Sequence, residues 1–275
     1  MAITTNVKEF ELAAIQMVSS SNVHENMDRA AALIGQAADD GAQLVLLPEY
    51  FCIMGHHDSD KNAHKETLGA GPLQDFLAQQ AKTHQLWVIG GTIPLKSPAA
   101  DRIYNACLVY DPKGERQARY DKIHLFGFDN GREVFQESDT IMPGSTQPVV
   151  VTTPLGSIGL SICYDLRFPE LYRAMGDVDL IVVPSAFTYT TGKAHWEVLL
   201  RARAIENQCY VLAAAQGGKH TSGRRTWGHS VLIDPWGTVM DCHPEGEGLV
   251  RGTVSHDRLS RVRRALPALT HKTMV

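Results

Sequence analysis

The chain has 275 residues, 44% of them hydrophobic and 20% charged, with a formal net charge of -4. That apolar fraction can fill a core and excludes a disordered chain, and the near-neutral charge excludes the basic footprint of a nucleic-acid binder. Five cysteines, at 52, 107, 163, 209 and 242, show no CxxC spacing, which excludes a disulfide framework and predicts a reducing, cytoplasmic setting. The first ten residues lack a charged start followed by an apolar stretch, so no secretory signal is expected. The longest apolar run, 209–215, is too short to cross a bilayer, and no membrane partner is expected.

Residues 12–17 read as a buried strand. Asn22 can cap a helix, with Glu25 three residues on and Met27, Ala30, Ala31, Ile34 and Ala38 at helical spacing. Residues 43–47 predict a second strand ended by Pro48, 72–84 a helix, and 86–93 and 104–110 strands, the latter closed by the turn 111–114. Strands over 157–163 and 180–183 flank a short helix over 169–175. The clearest helix runs over 193–207, with Trp196, Leu199, Leu200 and Ala204 on one face. Strands over 209–215, 230–233, 238–242 and 249–254 follow, and an amphipathic piece over 257–266 ends the series. No linker, repeat or composition break interrupts it, so a single domain over 1–275 is expected. Alternation followed by clustered strands predicts an α/β fold with mixed sheets packed between helices, and periodicity leaves two stacked sheets open.

Metal and dinucleotide readings are weak. His56, His57, Asp58, Asp60 and His64 form a polar cluster without ligand spacing, better read as a solvated loop. Gly69-Ala70-Gly71 runs into Pro72 without a third glycine.

Three reactive side chains stand just beyond or beside apolar segments. Glu49 follows Leu46-Leu47-Pro48, where desolvation would raise its pKa and make it a better base, although a capped turn reads equally well. Lys122 sits beside Ile123, Leu125 and Phe126; it is either a surface lysine or a buried one that needs a carboxylate such as Glu49. Cys163 ends an apolar strand before Tyr164-Asp165-Leu166-Arg167-Phe168-Pro169, a strand-turn-helix pattern that can expose a nucleophile and aim backbone N–H groups at an oxyanion. Cys107 and Cys209 lie inside apolar strands and read as core.

On these residues the chain resembles the nitrilase superfamily, the carbon–nitrogen hydrolases, over nearly its whole length, and within it the Nit-type amidases. The resemblance places a Glu-Lys-Cys triad on Glu49, Lys122 and Cys163, and a supporting glutamate on Glu137 in Phe135-Gln136-Glu137-Ser138. It implies a four-layer α-β-β-α sandwich with two mixed sheets, and self-association as a homodimer or higher homo-oligomer. It implies hydrolysis of a small-molecule amide through a cysteine thioester, with Lys122 and the Tyr164 N–H on the oxyanion and no metal or organic cofactor.

Residues 184–187, 191–206, 208–211 and 213–216 are similar to the branch that hydrolyses deaminated glutathione to 2-oxoglutarate and cysteinylglycine. Lys193 departs from the proline usual there, and the loop 122–137 looks one residue shorter than in ω-amidase. The expected substrate is a small carboxylate-bearing linear amide. Thr191, Arg167 and the basic, glycine-rich loop 217–225 with Arg224 and Arg225 are the candidates to contact it, although that loop also reads as a solubilising turn. An ω-amidase acting on α-ketoglutaramate, an N-carbamoyl amino acid hydrolase and a non-catalytic binding protein on the same fold are the alternatives.

Overall fold

The computed structural model describes residues 7–273; the expectation about the first residues falls largely outside that span. Two mixed sheets form the centre. The first runs in the order Gly248–Ser255, Glu9–Gln16, Leu44–Leu46, Trp87–Ile89, Ile103–Tyr110 and Ile93–Lys96, with Arg116–Asp121 also paired to Ile103–Tyr110. The second runs Val239–His243, Ser230–Ile233, Tyr210–Ala215, Leu180–Ser185, Gly156–Leu160 and Val149–Thr153.

Strand alternation explains the layers. Leu12 and Ala14 of Glu9–Gln16 point into the core shared with the second sheet, together with Leu44, Leu46 and Ile89. Ala13 and Ile15 point the other way, with Val45 and Val88, onto helices α1 (Val23–Asp39) and α2 (Pro72–His84). The outer face of the second sheet is covered by α3 (Pro169–Ala174) and α4 (Tyr189–Asn207), through Tyr172, Trp196, Leu200 and Ala204. The arrangement is therefore a helix–sheet–sheet–helix sandwich. Helix α5 (His256–Ala265) follows the last strand and buries Leu259 and Val262.

Local chemistry fixes the ends. The Asn22 side chain caps α1 by accepting from the His24 and Glu25 N–H groups, whereas Glu25 turns instead to the Ser20 hydroxyl and Arg29. Helix α4 starts four residues before the expected position, because the Thr188 side chain accepts from the Thr191 N–H. The strand expected over 86–93 breaks into Trp87–Ile89 and Ile93–Lys96. Gly91 has φ +54°, and a Cβ there would stand 2.1 Å from the Pro48 carbonyl oxygen, so the chain must turn under Pro48. Likewise, the strand expected over 157–163 stops at Leu160, and Cys163–Arg167 forms a 3-10 turn. Arg116–Asp121 and the hairpin Gly127–Asp129/Val134–Gln136 lack the apolar alternation that sequence reading depends on. Among the described residues no helix is long and apolar enough to cross a membrane.

Candidate active site

Glu49 leaves the first sheet three residues after Leu44–Leu46 and is 1% exposed. Its neighbour Tyr50 takes a left-handed φ of 56°, anchored by donation of the Tyr50 N–H to Thr92 Oγ1 at 2.9 Å. Glu49 Oε1 accepts from Lys122 Nζ at 2.8 Å and from Asn105 Nδ2 at 2.9 Å, and Oε2 accepts from the Ala186 N–H at 2.9 Å. Lys122 follows Arg116–Asp121 and is fully buried, which decides against a surface lysine.

Glu137 comes from the far end of the Gly127–Asp129/Val134–Gln136 hairpin. That hairpin folds back so that Glu137 Oε2 accepts from the Phe126 N–H at 2.7 Å, while Oε1 accepts from Lys122 Nζ at 2.8 Å and Tyr50 Oη at 2.9 Å. Lys122 thus bridges two carboxylates. The expected partnership of Lys122 with Glu49 is present, and Glu137 is a second partner.

Cys163 opens the 3-10 turn with φ 47°, a left-handed conformation that is rare outside glycine. Asp165, fully buried, pins this turn by accepting from the Ile162 N–H at 2.9 Å.

Burial pushes the Glu49 carboxyl pKa up, and the Glu137 charge adds to this, with Lys122 opposing both. Burial also works against ionised Glu137, but Lys122 and the Phe126 N–H outweigh it and hold that carboxyl below its ordinary value. Burial, then the facing Glu49 charge, hold the Cys163 thiol well above its ordinary value. Both shifts work against a preformed thiolate at Cys163 and toward a more basic Glu49.

A cavity of about 240 Å³ is lined by Glu49, Tyr50, Glu137, Cys163 and Tyr164 among others. Phe126 and Tyr164 meet edge to face, with centroids 5.2 Å apart, on one wall. Thr191, Arg224 and Arg225 also line the cavity. Arg224 pairs with Asp58, and the Arg225 guanidinium lies 3.8 Å from the Tyr189 ring centroid. Arg167 does not line it. Its guanidinium lies over the Tyr164 and Phe187 rings, and Nη1 is 3.2 Å from His195 Nδ1, so cation–π packing holds it behind the wall. The polar run from His56 is committed locally, with Asp58 on Arg224 and Asp60 accepting from the His57 N–H. Among the described residues no group of three or more metal-ligating side chains converges.

Four residues of this site had escaped sequence reading. Tyr50 and Asp165 stand next to residues already singled out, and their spacing was the available signal. Asn105 sits inside an apolar strand, and Glu133, a cavity residue that accepts from the Thr190 hydroxyl at 2.8 Å, sits in a polar loop; neither carries a local signal.

Known proteins resemble this chain over nearly its whole length. Residues 11–264 match the model of the carbon-nitrogen hydrolase family. The deaminated glutathione amidase of Yersinia enterocolitica is 40% identical over 98% of this chain and 95% of its own length. Among solved structures, the C. elegans NitFhit protein superposes with a TM-score of 0.89 at 36% identity; 97% of this chain is covered, and it spans 66% of that longer protein. Saccharomyces cerevisiae Nit3, described as a member of branch 10 of the nitrilase superfamily, superposes with a TM-score of 0.83 at 30% identity over 94% of this chain and 95% of its own.

Proposed function

The chain belongs to the carbon-nitrogen hydrolase family, and from that premise we propose that it is an amidase cleaving deaminated glutathione to 2-oxoglutarate and cysteinylglycine. The observation that carries the chemistry is Lys122 Nζ lying 2.8 Å from both Glu49 and Glu137, two carboxylates that line one cavity with Cys163. The substrate follows from the name of the Yersinia relative and from two arginines in the cavity wall, which suit a dicarboxylate.

In this reading Glu49 takes the Cys163 proton as sulfur attacks the amide carbonyl carbon, and the carbonyl π electrons move onto oxygen. Lys122 and the Tyr164 N–H stabilise that oxyanion. The oxyanion collapses and the C–N bond breaks. Glu49 returns its proton to the leaving nitrogen, giving an amine and a thioester. Glu49 next takes a proton from water as its oxygen attacks the thioester. The C–S bond breaks, sulfur regains the proton, and the carboxylic product leaves. Glu137 touches no reacting atom and positions Lys122. Arg224, Arg225 and Thr191 contact the substrate, and Arg167 stiffens the wall.

The reading extends to one hydrolase unit acting in a reducing, cytoplasmic setting as a homo-oligomer. Exposed Val198, Trp236, Val239 and Met240 favour self-association, which sedimentation would test. The decisive experiment compares kcat/KM for deaminated glutathione, α-ketoglutaramate and an N-carbamoyl amino acid, with Cys163→Ala as control. Preference for either of the last two would replace the substrate. Full activity of Cys163→Ala would overturn the mechanism.

A further inference from the structure

Lys61 lies in the 3-10 turn Asp60–His64 and is only 8% exposed, an unusual fate for a lysine. Its Nζ stands 4.7 Å from the centroid of the Tyr50 ring. The hydroxyl of that ring, Oη, donates to Glu137 Oε1 at 2.9 Å. Lys61, unlike Tyr50 and Glu137, does not line the cavity. The charges that face it are those of the site and its mouth: Glu137 and Asp58 attract it, Arg224 and Lys122 repel it.

The charge count explains why a lysine belongs there. Glu49, Glu137 and Lys122 are buried together, and two carboxylates with one ammonium leave one net negative charge in a poorly solvated place. If the mechanism above holds, that excess never leaves during turnover. It moves from Glu49 to sulfur and then to the oxyanion, while Glu137 and Lys122 stay ionised. A fixed cation near the group would offset it at every step.

We propose that Lys61 is a positioning residue for the reaction, a buried cation behind the Tyr50 ring that balances the excess negative charge of the Glu49–Lys122–Glu137 group. The proposal rests on the triad reading of the proposed function. Its action runs through Tyr50 and Glu137 and through space, without contact to the substrate. Burial lowers the pKa of Lys61 itself, with Glu137 and Asp58 opposing that shift.

The test reads the site without needing the physiological substrate. Iodoacetamide is reacted with the protein across a pH series, and Cys163 alkylation is followed by peptide mass spectrometry in wild type, Lys61→Met, Lys61→Gln and Lys61→Arg. Loss of the cation disfavours the thiolate. The alkylation midpoint of the neutral variants should therefore rise by about one pH unit, with a rate about ten-fold lower below the midpoint. Lys61→Arg should restore the wild-type profile. With an amide substrate, kcat should fall at neutral pH and KM should stay unchanged. An unchanged midpoint in a folded neutral variant overturns the proposal, as does a rise in KM at unchanged midpoint, which would make Lys61 a substrate contact. Failure of both neutral variants to fold also counts against it, because Lys61 would then be architectural. Absence of any pH-dependent alkylation of Cys163 in the wild type would overturn the triad reading instead, and this inference with it.

Discussion

His124 Nδ1 lies 2.7 Å from Asp165 Oδ1, so the residue two places beyond Lys122 is tied to the residue two places beyond Cys163. The same carboxylate accepts from the His124 N–H at 3.0 Å, from Tyr120 Oη at 2.7 Å and from the Ile162 N–H at 2.9 Å. One buried aspartate therefore sets the spacing between the two segments that carry the proposed lysine and nucleophile. The His124 ring also stacks on Phe168, with centroids 3.7 Å apart, closing the far side of the turn.

Asp165→Asn tests this link. An amide offers one acceptor oxygen where the carboxylate serves four donor groups, and its NH2 brings an extra donor to a site already full of them. The expected loss is about 2–3 kcal/mol in urea denaturation, with a fall in kcat larger than any change in KM. Wild-type stability in this variant would show that the network does not hold the turn.

Lys122→Met leaves Glu49 and Glu137 facing each other in a buried place without their shared cation. Breaking a buried pair in this way is expected to cost about 3–5 kcal/mol, on top of loss of turnover. The loss should shrink when Glu137→Gln is added to Lys122→Met, since one uncompensated charge is then gone. Additive effects in that double-mutant cycle would contradict the bridging role.

Glu137 gives stability a pH dependence of known sign. Its folded pKa lies below the ordinary 4.5, so the unfolded chain binds the proton first as pH falls. The contribution of ionised Glu137 is therefore complete above that ordinary value and disappears as pH drops through the lower folded one. Glu49 has the opposite sign, because its folded pKa is raised. The gap in denaturation midpoint between wild type and Glu137→Gln should be wide at about pH 7 and should narrow as pH falls below the ordinary carboxyl value. A gap that widens with acid would reverse the assignment.

Gly91→Ala should disturb the site from beneath. The added Cβ would meet the Pro48 carbonyl oxygen at 2.1 Å, in a backbone conformation already costly for alanine. Destabilisation of at least about 1–2 kcal/mol is expected, with a drop in kcat because Pro48 directly precedes Glu49. Thermal melting and steady-state kinetics on the same preparation would check both parts.

The arginines separate by position. Arg224 lines the cavity and Arg167 does not. Arg224→Ala should raise KM for deaminated glutathione about ten-fold with kcat little changed, the pattern of lost uniform binding. Arg167→Ala should leave KM near the wild-type value. The reverse result would move the carboxylate site to the α3 side of the cavity.

Much of this arrangement was legible in the sequence, for definite reasons. Pro72 and His84 bound α2 as the helical period requires, and the buried strands carry aliphatic runs that survive any register. Glu49, Lys122 and Cys163 stood out because polar side chains broke those runs, and Glu137 through resemblance to a family. The rest depended on long-range geometry. The Leu86–Ile93 run breaks because Gly91 passes under Pro48, a neighbour more than forty positions earlier in the chain. Arg116–Asp121 pairs through its backbone while its outer side chains stay in solvent, so no hydrophobic period marks it. Arg167 looked like a substrate contact because it follows Cys163 closely, yet the turn directs it onto aromatic faces. Asn105 and Lys61 are ordinary until the fold brings Glu49 and Tyr50 to them.

The left-handed backbone at Cys163 has a consequence for how variants of this chain can be chosen. At φ 47° a side chain of any kind is a burden, and a branched one more so. On backbone conformation alone glycine would be favoured there. A library screened only for thermal tolerance would therefore tolerate loss of the proposed nucleophile, whereas one screened for turnover is expected to hold it. Position 163 is where the two demands on the sequence part company, and it marks the limit to which this scaffold can be idealised without being silenced.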